Sequence, residues 1–323
     1  MKINNISDYE IFRVNEYESR YLNGIEYQVN KGLYLDIILT DYCNQNCGFC
    51  IADLLENKEN CNIEIFKDQI RYAIEEIGVR EVLIVGGEPT IAKSLLPILE
   101  FLEQFNLDKI CMTTNGHRLI DGNLPIAEVL SVVTHLNLSL MSLNPEAQRT
   151  IGKTRNTISL DQLAFLYEKC KMYNTMFRVN NNVFRENNDT LNELLAFYEA
   201  VRNFCHTVKF SPLLKTDNFS VVNVVTEWVR QNILSDDEYE SLFKQLEAHY
   251  SIYPIVRNPF NFGFVEYAMI CLETPIIINY NHRGMMAKKA SEGFVNNLKL
   301  LANGNLSLSW NKDFKDSVIR FGE

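Results

Sequence analysis

With 323 residues, 46% of them hydrophobic, and a formal net charge of −10, the chain has the apolar content for one large domain, or a domain with a cap. The acidic balance argues against a partner held by neutralising many phosphates, so nucleic acid is disfavoured. No run approaches the roughly 18 to 20 apolar residues of a membrane span, and MKINNISDYEIFRVNEYESRY at the start has neither basic n-region nor apolar h-region, so the expectation is a cytoplasmic chain with no membrane partner. Eight cysteines are too sparse for a disulfide scaffold, and a tight Cys cluster in a reducing compartment signals metal or redox chemistry.

In chain order, EYESRYL and IEYQV are joined by Asn23-Gly24, a two-residue hairpin signal. Six β-branched apolar runs follow: LYLDIILT from Leu33, REVLIVG from Arg80, KICMTT from Lys109, HLNLSLM from His135, MFRVNNNVF from Met176 and HTVKFSPL from His206. Helical periodicity lies between them near Ile63 to Ile77, Ala92 to Phe105, Ile126 to Ser131, Ser159 to Tyr173 and Thr190 to Phe204, the last two opened by capping boxes, Ser159 with Gln162 and Thr190 with Glu193. This alternation predicts an α/β fold, a partial (β/α)6 TIM-like barrel over residues 33–215, with an N-terminal β-hairpin over 1–32. After Lys215 come a capped helix at Ser235 to Tyr250, a Pro-, Phe- and Asn-rich stretch around Asn258 to Phe264, the segment TPIIINYN, and a hairpin in NLKLLANGNLSLSW turning near Asn303-Gly304. The expectation for 216–323 is a small α+β cap.

The first barrel run leads straight into DYCNQNCGFC, which places Cys43, Cys47 and Cys50 in C-x3-C-x2-C spacing. Three thiolates on so short a loop suit a cubane that would need four for full protein ligation, which leaves one iron open. A closed structural zinc site would want a nearby fourth ligand, yet the first His is His117 and the next Cys is Cys61. Idle cysteines favour apolar surroundings, and this loop carries Asn44, Gln45, Asn46 and Gly48.

The loop resembles the signature of the radical S-adenosylmethionine (SAM) superfamily, including the aromatic residue before the last Cys, here Phe49. The order of motifs extends the likeness over roughly residues 33 to 215, in the branch that contains MoaA, viperin and the SPASM/twitch proteins. It implies one 4Fe-4S cluster on the three cysteines and SAM bound to its open iron. GGEPT follows the second run: two glycines allow close backbone approach and Glu88 adds charge beside an ammonium, although a plain strand-to-helix turn also accounts for these residues. Gly86, Gly87, Glu88 and Pro89 are similar to the family motif that holds the methionine amino group. TTNG after the third run puts Thr114 at a pocket or a capped turn. Ser139 shares a strand face with Asn137 and Met141, a place for a ribose or carboxylate contact. Arg178, Asn180 and Asn182 share one face of the fifth, costly to direct into a dry core, so they line a ligand-filled lumen or a solvated edge. By resemblance Asn180 binds SAM, with Arg178 in a position often basic in the family.

The tail resembles a twitch region, with Trp310 near where a ligand Cys would stand, so a single cluster and a cap without metal are expected. Cys271 is a packing residue or a hydrogen-atom donor. His282, Arg283, Lys288 and Lys289 are a solvated charge run or a clasp for a substrate phosphate or carboxylate. The resemblance implies reductive cleavage of SAM to a 5′-deoxyadenosyl radical that abstracts hydrogen from a small, anionic metabolite or nucleotide, with an electron donor such as flavodoxin or ferredoxin. Two alternatives stand beside it: a maturase of ribosomal peptides, with the hairpin edge as peptide-binding surface, and a non-catalytic iron-sulfur or interaction protein.

Overall fold

A computed structural model describes residues 16–22, 24–50, 58–214, 223–251, 256–261, 264–269, 272–281, 293–308 and 318–319. The six apolar runs form parallel strands: the C-terminal part of β2 (Ile25–Ile38), then β3 (Glu81–Val85), β4 (Lys109–Thr114), β5 (His135–Ser139), β6 (Met176–Val183) and β7 (Thr207–Pro212). Between them run α1 (Ile63–Glu75), α2 (Leu95–Leu102), α3 (His117–Ile120), α4 (Ile126–Leu130), α5 (Pro145–Gly152), α6 (Leu160–Met172) and α7 (Leu191–Val201). Both expected capping boxes form at Ser159 and Thr190; each such cap stabilises its helix by about 1 kcal/mol. The short α3 and α5 escaped the periodicity search because one or two turns carry too few apolar positions to show a period.

The two flanking regions join the same sheet. β1 (Tyr17–Leu22) pairs antiparallel with the start of β2, and β2 runs unbroken for 14 residues across the expected 32/33 boundary into the barrel. Beyond β7 come α8 (Val224–Asn232), α9 (Asp236–Tyr250), β8 (Val256–Asn261), β9 (Phe264–Met269), β10 (Ile276–Asn281), β11 (Phe294–Leu300) and β12 (Leu306–Ser307). β10 adds in parallel to β7 and carries β9 and β8, whereas β11 adds in parallel to β2 at the opposite edge and carries β12. The sheet order is therefore β12-β11-β2-β3-β4-β5-β6-β7-β10-β9-β8. The tail thus extends both ends of the partial barrel. Its strands are short and its stretch around Asn258 to Phe264 is rich in Pro and Asn, residues that strands disfavour, so their place in the sheet is weakly marked in the sequence.

One face of the sheet is apolar and lies under the helices: Leu35 and Ile37 of β2, and Leu39 just beyond it, share a continuous core with Val82, Ile84, Phe66 and Ile70. The other face is the lumen. Period two puts Tyr34 and Asp36 there, and strand register aligns Asp36 with Leu83 of β3 and Lys299 of β11. Among the described residues no helix is long and apolar enough to cross a membrane.

Candidate functional site

The cysteine loop leaves the C-terminal end of β2, where chemistry sits in parallel α/β sheets. Cys43, Cys47 and Cys50 are each half-buried, and none is in a disulfide. The Cys50 N–H donates to the Cys47 carbonyl at 3.0 Å, and the Gln45 N–H to the Cys43 sulfur at 3.3 Å. The next cysteine in the chain is committed elsewhere: Cys61 donates to the Ser94 hydroxyl at 3.0 Å, and burial raises its pKa. Among the described residues no three His, Cys, Asp or Glu side chains converge closely enough to hold a single ion. Thiolates on separate corners of a cubane stand farther apart than donors around one ion, so three cysteines on one loop, with no fourth beside them among the described residues, fit a cluster with an open corner better than a zinc site.

GGEP closes directly on the cysteine loop. A Cβ at Gly87 would lie 2.0 Å from the Tyr42 carbonyl oxygen, and one at Gly86, where φ is +132°, 2.6 Å from that of Thr40. The Gly87 and Glu88 N–H groups donate to the Thr40 and Tyr42 carbonyls, both at 2.8 Å. The glycines thus admit the backbone of the cysteine loop itself. Glu88 is buried, and its carboxylate accepts from the Thr90 N–H and hydroxyl (3.0 and 2.6 Å), the Thr114 hydroxyl (2.6 Å) and the Asn115 N–H (2.7 Å). Burial pushes its pKa up against those four donors. Through Thr114 and Asn115 the carboxylate locks the end of β3 to the end of β4. Pro89 opens a single 3-10 turn, Pro89–Ile91, buried beneath the same junction.

Phe49 packs against Phe184 and Trp228, with ring centroids 5.7 and 6.0 Å apart. These rings, with Met141, Leu213, Val225 and Val229, form a second apolar cluster over the ends of β5, β6 and β7. Trp228 belongs to α8, which sequence reading missed although Asn223 and Thr226 form a capping box at its start. A Cβ at Gly48 would lie 2.9 Å from the indole, so the small residue in the loop is what lets the helix roof it.

The face opposite the core is polar. Along β6, Arg178, Asn180 and Asn182 are half-buried on one side, while Phe177, Val179, Asn181 and Val183 are buried on the other. The Arg178 Nε donates to the Asn180 side-chain oxygen at 2.9 Å. Asn180 is in register with Ser139 of β5 on one side and with Lys209 of β7 on the other. Lys209 was overlooked, yet the alternation of HTVKFSPL places Thr207, Lys209 and Ser211 opposite Val208 and Phe210. Deeper in the lumen Asp36, Asn297 and Lys299 form a buried chain. The Asn297 amide donates to Asp36 at 2.6 Å, and its oxygen accepts Lys299 Nζ at 2.9 Å. Burial raises Asp36 to about 7 and lowers Lys299 to about 8. Cys271, His282, Arg283, Lys288, Lys289 and Trp310 lie outside the described residues.

Residues 37–197 match the model of the radical SAM superfamily. The chain is 24% identical over 231 residues to the GTP 3′,8-cyclase of Aquifex aeolicus, covering 70% of this chain and 67% of that one. It is 27% identical over 163 residues to the GTP 3′,8-cyclase of Clostridium perfringens, 48% of each chain. SuiB of Streptococcus suis, solved bound to SAM, shares the fold with a TM-score of 0.63 at 14% identity, over 90% of this chain and 64% of that one; its complex with the precursor peptide SuiA gives 0.60 at 15%, over 86% and 59%. The chain thus spans about half the length of the Clostridium cyclase and under two thirds of SuiB. The superfamily uses a 4Fe-4S cluster and SAM, and the three-thiol loop at the mouth of a partial barrel is consistent with both. Through the domain that spans residues 37–197, the chain belongs to the radical SAM superfamily.

Proposed function

We propose that this enzyme cleaves SAM reductively to a 5′-deoxyadenosyl radical, which removes a hydrogen atom from a small anionic metabolite or nucleotide held in the lumen. Residues 33–215 are the unit that holds cluster and SAM, with 1–32 and 216–323 as accessory segments. The carrying observation is a cationic, amide-rich lumen face, Arg178, Asn180, Asn182 and Lys209, beside a loop that carries three cysteines outside any disulfide. When bound, the cluster supplies the open iron and the electron for cleavage, the latter delivered by a flavodoxin or ferredoxin. Cys43, Cys47 and Cys50 hold it. Gly86, Gly87, Glu88 and Pro89 brace the loop at the strand ends, and Phe49 with Trp228 excludes water from one side. Ser139, Asn180 and Arg178 offer hydroxyl, amide and guanidinium groups to SAM, and Lys209 adds positive charge suited to a phosphate or carboxylate. The name of the cyclase relatives points the same way, toward a nucleotide.

Anaerobic reconstitution with iron and sulfide, followed by SAM and dithionite, tests the reading. The wild type should release 5′-deoxyadenosine, Cys47→Ala should not, and Arg178→Ala should slow release at least tenfold. A fully loaded wild type that forms none would favour the non-catalytic alternative. A peptide substrate is supported by one observation: among the described residues β1 pairs only with β2, which leaves its outer edge for β-augmentation. Faster 5′-deoxyadenosine release with nucleoside triphosphates, and none with peptides, separates the two substrate classes.

A further inference from the structure

Gln45 sits between two of the three thiols, and its side chain is held on both sides. Its amide nitrogen lies 3.0 Å from Nε2 of His117, and its amide oxygen accepts the Cys47 thiol at 3.6 Å. A Cβ at Gly152 would come within 3.5 Å of that amide nitrogen, so glycine at the end of α5 keeps the pocket just wide enough. The same residue's carbonyl accepts the Asn46 N–H at 2.9 Å. His117 is 7% exposed, and its backbone N–H donates to the Asn115 side-chain oxygen at 3.3 Å. Asn115 in turn donates to Asn44 at 2.6 Å. The loop is thereby tied through two side chains to the end of β4.

A thiol donates a hydrogen bond, but a thiolate bound to iron only accepts. With Cys47 ligated, an amide oxygen facing its sulfur would set acceptor against acceptor. Rotation of the Gln45 amide by half a turn removes the conflict with almost no change of shape, because its oxygen and nitrogen are nearly isosteric. The N–H then faces the sulfur, and the oxygen faces His117, which meets it with the Nε2–H tautomer. We propose that Gln45 and His117 are positioning residues of the cluster: His117 fixes the Gln45 amide so that its N–H donates to the Cys47 thiolate. This rests on the reading of Cys47 as a cluster ligand. A donor at a ligand sulfur favours the more negative, reduced cluster and so raises its potential.

The test is an EPR-monitored redox titration of the reconstituted protein without SAM, with iron per chain measured for each variant. Gln45→Leu and His117→Ala should both shift the midpoint to more negative potential at wild-type iron content. His117→Gln, which restores an amide N–H, should return it toward wild type, and the double variant should shift no further than Gln45→Leu. A midpoint unchanged in Gln45→Leu overturns the proposal; if that variant does not load iron, an unchanged midpoint in His117→Ala does so. A wild type that binds no iron removes the ligand reading as well, and the iron assay distinguishes that failure from a loaded but unresponsive set of variants.

Discussion

At Gly87 a methyl group has nowhere to go, because the Tyr42 carbonyl would lie 2.0 Å from it. Gly87→Ala is expected to cost about 3 kcal/mol and to lower iron uptake, as strand β3 and the loop must separate. Gly122, with φ of +76° and open space around its missing Cβ, is the comparison: Gly122→Ala should cost about 1 kcal/mol and leave iron uptake unchanged. Urea denaturation with an iron assay reads both. Glu88 shows why residue roles were only partly legible. The sequence placed a carboxylate at the mouth of the barrel, but it could not show that Thr90, Thr114 and Asn115 would converge on it, since those partners come from two strand ends.

Among the elements, the strands were read well because β-branched runs at regular spacing have few other outcomes, and the apolar face of β2 packs as its pattern required. Helix α8 was not, although it roofs the loop. Its core contacts are Val225, Trp228 and Val229, too few for a clear period, and the capping box of Asn223 with Thr226 lies outside the usual Glu or Gln form. Trp228→Ala should cost about 2 kcal/mol and speed amide exchange in residues 43–50, while exchange in β4 and β5 stays near wild type. Equal exchange in the loop would mean that the indole does not secure it.

Over the whole molecule, the Asp36–Asn297–Lys299 chain joins the first barrel strand to the last hairpin, a contact between residues far apart in the chain and therefore invisible to local pattern. Its pH signature has a definite sign. Folded Asp36 keeps its proton to about 7, against an ordinary value of 3.8. The unfolded chain binds fewer protons across that window, so stability falls as pH rises through it. Folded Lys299 releases its proton near 8 rather than 10.5, so stability rises again between those values. The wild type should therefore lose up to about 4 kcal/mol relative to Asp36→Asn between pH 4 and 7. Urea midpoints of the two proteins at pH 4.5, 7.5 and 9.5 check this, and parallel curves would contradict it.

The packing of Trp228 on Gly48 also bears on how the protein matures. During synthesis the three cysteines leave the ribosome long before α8 exists to cover them, and the strand that completes one side of the sheet, β11, emerges later still. The interval in which iron and sulfide meet the loop before any helix packs on Gly48 is thus written into chain order. Trp228→Ala should therefore alter the rate at which the finished fold takes up iron and leave uptake by unfolded chains as it is.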